Sequence, residues 1–477
     1  MSKLLKFIIS EKNTYVKIIF KSRGMNMSER FKRDEAILRW KLKKNENLRI
    51  NRFIISVFCL FLVVYTIYLA YSKFFISKEE EVVRTTVGEF KTGDVIISSY
   101  IDGTYSSDFP SHTSGYSVEK VECDNEATGL WDSVNWDLNV SHITKRTKCS
   151  VYFKQLPVTD RIIASVDKTG KCPSVNSDGT VNVTGLEGTN GYVCSATDAY
   201  GTSYYFRGNT SNNYVKFGGY YWRILRINGD GTIRLIYDGT SAHDNNEASD
   251  DRIIGTSKYN SNAKDNAYVG YMYGSTGSFS YNDTHANTND STIKTYIDNW
   301  YTTNLSKYST YLADNIFCND RKLSTYTDLT HKNHGYGRNS TYYRWARGPW
   351  DGTSYGNMTI TLTCPQQNDA FSVSDTSKGN GALTYPIGLL SADEAVLAGT
   401  WTGANTNYYL YTGSQYWTAS AGSYTAVASG NRLIDSDGGS PNFSLVDMDI
   451  GVKPIINLKA NSLTKGIGTK DSPYTIN

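Results

Sequence analysis

Twenty consecutive residues without a charge, 53–72 (FIISVFCLFLVVYTIYLAYS), constrain this chain more than any other feature. As a helix rising about 1.5 Å per residue, the run covers about 30 Å, the thickness of a bilayer's hydrocarbon core. Tyr65, Tyr68 and Tyr71 gather toward its far end, where aromatic rings favour the membrane interface. The flanks differ in charge. Residues 1–52 carry 15 Lys/Arg against 5 Asp/Glu, whereas Glu79, Glu80 and Glu81 follow the run. The positive-inside rule therefore keeps the N-terminus in the cytoplasm and exports everything after residue 72. A cleaved signal peptide is the rival reading, but its apolar core usually runs about 7–15 residues before a small-residue cleavage site. The expectation is an uncleaved signal anchor in the cell membrane, with the lipid bilayer as partner of residues 53–72. The basic segment before it sets topology and attracts anionic lipid; no nucleic-acid partner is expected.

Six cysteines lie in the exported part: Cys123, Cys149, Cys172, Cys194, Cys318 and Cys364. An even number in an exported segment points to disulfides. Fifteen pairings are open; sequential pairing is the simplest, since each bridge then stays within one proposed unit. Free buried thiols are the alternative. No C-x-x-C occurs, so a zinc ribbon or thioredoxin-like site has no support.

The exported composition, with 37 Tyr and 40 Gly in the whole chain but only 9 Pro and 6 His, reads as short strands joined by polar turns. Residues 73–92 form a charged stalk. Residues 93–155 alternate apolar and polar side chains in DVIISSYI, YSVEKVEC, WDLNVSHI and TKCSVYFK, with Asp102-Gly103 as a hairpin turn. They are expected to form a small all-β spacer with Trp131 and Trp136 in its core. Residues 156–477 read as a larger, β-rich α+β domain. Its strongest signal is a hairpin over 212–240 that turns at Asn228-Gly229-Asp230-Gly231. Helical spacing marks 291–305, and Ser391-x-x-Glu394 is a capping box with Gly399 as its stop. YPIGLL, YWTAS (416–420) and MDIGVKPIINLK (448–459) read as strands.

The segments GDVIISSYIDGTYSSDFPS, GYSVEKVEC, NNYVKFGGYYWRILRINGDGTIRLIYDGTSAH and GVKPIINLK…GIGTKDSPYTIN resemble a family of membrane-anchored surface proteins of gut Firmicutes and related low-GC bacteria. The resemblance implies surface display and brings no activity with it. The order WRIL hairpin, helices, GLLS with a capped helix, YWTAS and GVKPIINL is remotely similar to C-type-lectin-like and formylglycine-generating-enzyme-like domains, which implies a C-type-lectin-like fold for the C-terminal unit. The chain departs from both. No cysteine follows Cys364, and the Glu-Pro-Asn and Trp-Asn-Asp calcium–sugar signatures are missing.

Chemistry is sparse. Gly352-Thr353-Ser354-Tyr355-Gly356 matches G-x-S-x-G without the strand–elbow–helix context, and no His follows it. His331 and His334 with Cys318 and Cys364 compose a zinc set only if the cysteines are free. Asp435, Asp437, Asp447 and Asp449 supply oxygen ligands for calcium, but no EF-hand loop is complete; no cofactor is expected. In the aromatic and basic stretch 326–350, residues Tyr342, Tyr343, Arg344, Trp345, Arg347 and Trp350 make the candidate recognition surface, because aromatic faces stack on sugars and arginine donates bidentate hydrogen bonds. The reading is a bacterial cell-surface binding or adhesion protein with an extracellular glycan or protein ligand. The alternatives are a carbohydrate-active enzyme with paired carboxylates and a structural envelope protein.

Overall fold

The computed structural model describes residues 39–40, 95–112, 114–183, 188, 190–324, 335–345, 360–400, 403–439 and 441–476. The anchor expected at 53–72 and the stalk lie outside these residues. Among the described residues, no helix is long and apolar enough to cross a membrane. The chain forms two compact units, Met1–Lys154 and Gln155–Asn477.

In the first unit, β1 (Val95–Ile101) turns at Asp102-Gly103, both at positive φ, into β2 (Thr104–Ser106). Then follow β3 (Tyr116–Cys123), the hairpin β4 (Thr128–Asp132) and β5 (Asp137–Ser141), and β6 (Thr147–Gln155). β6 inserts between β1 and β3, parallel to β1, giving the order β2-β1-β6-β3. Alternation along β6 buries Cys149, Val151 and Phe153 on one face. Trp131 and Trp136 meet Phe153 there at 5.4 and 6.0 Å between ring centroids, and the Trp136 indole N–H donates to the Pro110 carbonyl. Cys123 and Cys149 are bonded, stapling β3 to β6. The remaining two bridges, Cys172–Cys194 and Cys318–Cys364, follow the same sequential pairing.

The second unit contains an eight-stranded and a six-stranded sheet. The 212–240 segment holds three strands rather than two. Tyr214–Phe217 folds back through Gly218-Gly219 onto Tyr220–Ile227, which then pairs with Ile233–Gly239 across the expected turn. The extra reversal went unread because both runs are apolar, and apolar runs buried on two faces hide their breaks. The segment 448–459 is likewise two strands. Ile450–Gly451 joins the six-stranded sheet, and Pro454–Leu458 joins the eight-stranded one. Val452 and Lys453 make the crossover between sheets. Strand Tyr416–Thr425 lies at the centre of the six-stranded sheet.

Helix Thr292–Asn304 starts at Ser291, whose hydroxyl accepts the Lys294 N–H, and buries Ile293, Ile297 and Tyr301. The helix Ala392–Ala398 carries the capping box in full, and its Glu394 does a second task. Its carboxylate meets Arg234 at 2.6 Å and Arg226 at 3.4 Å, two arginines from the buried central hairpin. Arg226 also pairs with Asp198 at 2.7 Å.

Two substitutions separate these tasks. Ser391→Ala removes the cap alone and should cost about 1 kcal/mol. Glu394→Ala also leaves buried guanidinium charge uncompensated and should cost about 3–5 kcal/mol. Urea-unfolding midpoints measure both; equal losses would show that the ion pairs contribute nothing beyond the cap.

Candidate functional site

The aromatic stretch singled out in the sequence turns inward. Tyr343 and Trp345 have no exposed surface. The Tyr343 hydroxyl donates to Asn266 Oδ1 at 2.7 Å, and the Trp345 indole N–H donates to Asp393 Oδ2 at 2.7 Å. Arg344 is held between Asp320 and Asp393. Tyr342 lies in the strand Ser340–Tyr342, half-buried against Tyr416–Thr425. This constellation is therefore core for Tyr343, Arg344 and Trp345, because each large ring or guanidinium finds a buried polar partner for its N–H or O–H. Arg347 and Trp350 lie outside the described residues, as do His331, His334 and the 352–356 motif. The Cys318–Cys364 bond leaves no thiolate for zinc. Among the described residues, no three His, Cys, Asp or Glu are placed to hold a metal ion. Asp435 accepts from Gln415 and Asn442 side chains, and Asp437 accepts from the Gly439 N–H, so both carboxylates close turns.

Hollows of two kinds lie in the second unit. One lies beside Cys318–Cys364, with Arg226, Arg234, Arg344, Asp393 and Glu394 in its lining; it has room for about 20 Å³, roughly one water, and these charges pair with one another. The other is an open groove of about 780 Å³, within the range of small-molecule sites. Its walls are Asp250 with 253–256, 413–415 and 449–451, with Ser436 at the rim. Ile253, Ile254 and Ile450 give it apolar surface, while Asp250, Asp449, Ser414 and Gln415 supply polar groups.

One buried carboxylate holds all three walls. Asp238, at the end of the central hairpin, is 1% exposed and faces three cations: Arg252 at 2.8 Å, Lys453 at 3.1 Å and Arg223 at 3.7 Å. Arg252 lies buried between Asp250 and Ile253 of the first wall and also donates to the Asp244, Glu247 and Tyr409 carbonyls, the last leading into the second wall. Lys453 follows the third wall at the crossover between sheets. Backbone bonds finish the frame: Ser249 N–H to Thr412 O, Ile254 N–H to Val452 O, and Gly451 N–H to Gln415 O. That last approach demands glycine, since a Cβ on Gly451 would lie 2.4 Å from the Gln415 carbonyl oxygen.

Charge in this frame is unbalanced by design of the fold: three buried cations meet one buried anion. Burial alone would raise the Asp238 carboxyl, but Arg252, Lys453 and Arg223 hold it below its ordinary value. Burial pulls Lys453 down to about 8, with Asp238 opposing. Arg223 is lowered by burial too, and its guanidinium lies 3.7 Å above the Tyr214 ring.

A constellation that the sequence reading missed sits behind the first wall. His243 Nδ1 is 2.9 Å from Glu247, and its Nε2 is 3.3 Å from the Ser241 hydroxyl. Ser, His and Glu thus stand in the order of a hydrolytic triad. The Nε2 that would take the serine proton, however, also faces Asp251 Oδ1 at 2.8 Å. A carboxylate there competes for that nitrogen as an acceptor, so the arrangement serves as a clamp between two acids. Burial would raise the Asp251 carboxyl, but hydrogen bonds from Ser249, Thr240 and His243 hold it well below the carboxylate range. The clamp fixes Asp251 beside Asp250 and Arg252 and so steadies the same wall.

Compared with known proteins, no family model matches the chain, and neither a curated protein nor a solved structure matches it.

Two outcomes test the frame. Asp238→Asn leaves three buried cations without their carboxylate and should cost about 3–5 kcal/mol, read as a fall in the urea midpoint. Between pH of about 8 and 10.4, the unfolded chain keeps a proton that folded Lys453 has released, so stability from this group rises with pH across that window and is flat below it. Lys453→Met should abolish that rise; an unchanged pH slope would contradict a lowered lysine.

Proposed function

We propose that the chain is a cell-surface binding protein, held in the membrane by residues 53–72 with its N-terminus in the cytoplasm, that presents the groove of its second unit to an extracellular glycan or protein. The observation carrying this reading is the groove: an open concavity of about 780 Å³ combining isoleucine surface with carboxylate, hydroxyl and amide groups on a frame fixed from beneath. Three disulfides support an oxidising, extracytoplasmic setting for the same residues.

A second reading rests on Asp250 and Asp449, which line the same groove and would serve an enzyme acting on polysaccharide with two carboxylates. Isothermal titration against a panel of host and bacterial glycans, with and without calcium, separates the two when run beside a reducing-end assay. For a binder, Gln415→Ala and Asp449→Asn should weaken affinity about tenfold each through lost hydrogen bonds, with no product formed. Sustained release of reducing ends, lost in both Asp250→Asn and Asp449→Asn, would replace binding by catalysis. Affinity untouched by every groove substitution would overturn the groove as the site.

A further inference from the structure

The first unit, read from sequence as a spacer, carries a surface of its own. Tyr105 on β2, Tyr100 on β1 and Tyr152 on β6 lie side by side in register across the sheet. Tyr100 and Tyr152 are stacked at 4.8 Å between centroids, and Tyr105 meets Tyr100 edge-on at 5.9 Å. Lys120 of β3 lies 4.5 Å over the far side of the Tyr152 ring and pairs with Glu122 at 2.7 Å. The row closes on itself at the Lys120 end and is open at the other, where Tyr105 is 65% exposed. An all-β unit has no packing need for an aromatic row on the face opposite its core, since the core is filled by Leu138, Val151 and Phe153 on the other side.

On that face Glu122 pairs with Lys120 and accepts a hydrogen bond from the Tyr152 hydroxyl, which in turn accepts one from Ser150. Residues 95–154 hold eight Asp/Glu and five Lys/Arg and are acidic as a whole. Yet strand alternation places Lys148 and Lys154 on the same face of β6 as Tyr152, both exposed, with Ser150 between them. Neither lysine has an ion-pair partner among the described residues. At about 3.3 Å per residue they stand about 20 Å apart along the strand. An exposed aromatic ring, the Tyr100 hydroxyl beside it, and two lysines without ion-pair partners among the described residues complement a chain of sugar rings that carries negative charge.

We propose that the outer face of the β2-β1-β6-β3 sheet binds an acidic glycan. Tyr105 stacks on the C–H face of a sugar ring, the Tyr100 hydroxyl hydrogen-bonds to its hydroxyl groups, and Lys148 and Lys154 take its carboxylates. This uses none of the groove residues, so the two sites fail or survive separately.

Titration of the full-length protein with oligogalacturonate and with hyaluronan oligosaccharides tests it, beside neutral malto-oligosaccharide and poly-glutamate. Both acidic glycans should bind and weaken with added salt; the neutral glycan and poly-glutamate should bind at least about tenfold more weakly. Tyr105→Ala should cost about tenfold or more, and Tyr105→Phe should stay near wild type. Lys148→Glu with Lys154→Glu should abolish binding. The substituted side chains are exposed, so thermal unfolding should match wild type. Failure of both acidic glycans to bind, indifference to Tyr105→Ala, or poly-glutamate binding as tightly as the glycans would each overturn the assignment.

Discussion

The contact between Asp238 and its three cations is the constraint from which the second unit is organised. A carboxylate out of water carries a desolvation penalty of several kcal/mol, which only well-placed opposite charge offsets. Arg223 comes from the neighbouring strand, Arg252 from the turn that follows the hairpin, and Lys453 from the passage between the two sheets. Segments far apart in sequence are thereby fixed to one point, and the groove is the surface they leave between them. Among the described residues, seven arginines are nearly devoid of solvent exposure: Arg207, Arg223, Arg226, Arg234, Arg252, Arg321 and Arg432. Arg207 donates to the Val396 and Leu397 carbonyls, Arg321 to Asp369 and Arg432 to the Trp345 carbonyl, so the interior specifies its geometry by direction as well as by volume. The guanidinium plane suits this use because it donates along several fixed directions at once, as Arg252 does to one carboxylate and three carbonyls.

Much of the scaffold was legible because its signals are local. The turns at Asp102-Gly103 and Asn228–Gly231, the cap at Ser391 and the 291–305 periodicity depend on residues a few positions apart, and the structure carries all of them. The disulfides followed from each pair lying within one segment. Where a strand changes sheets, local pattern is blind. Val452 continues the apolar run on either side, and only the long-range partners of the two flanking strands show that the chain crosses over there.

The site was less legible, for a physical reason. Aromatic and arginine side chains have the same appearance in a sequence whether they face solvent or fill a core. Trp345 satisfies its indole N–H on Asp393, and Arg344 meets two acids, so the stretch chosen for recognition became interior. The groove is lined by isoleucine, glycine, serine and aspartate, residues that raise no signal singly and come from three separate segments. The tyrosine row of the first unit was visible as alternation in β1 and β6, but parallel pairing of these strands, which brings Tyr100 beside Tyr152, is set by topology. Ser241, His243 and Glu247 show the converse case, in which close spacing produces catalytic geometry that a fourth group, Asp251, cancels.

Native-state hydrogen exchange on Arg252→Met tests the central claim most directly. That change removes one cation and leaves Asp238 paired with Arg223 and Lys453, so the unit keeps its core. If one carboxylate frames the groove, the amides of Ser249, Ile254 and Gly451, which bond between walls, lose protection together, while those of helix Thr292–Asn304 keep theirs. Loss confined to Ser249 and Ile254, with Gly451 as protected as before, would show that each wall stands by itself and would contradict the account.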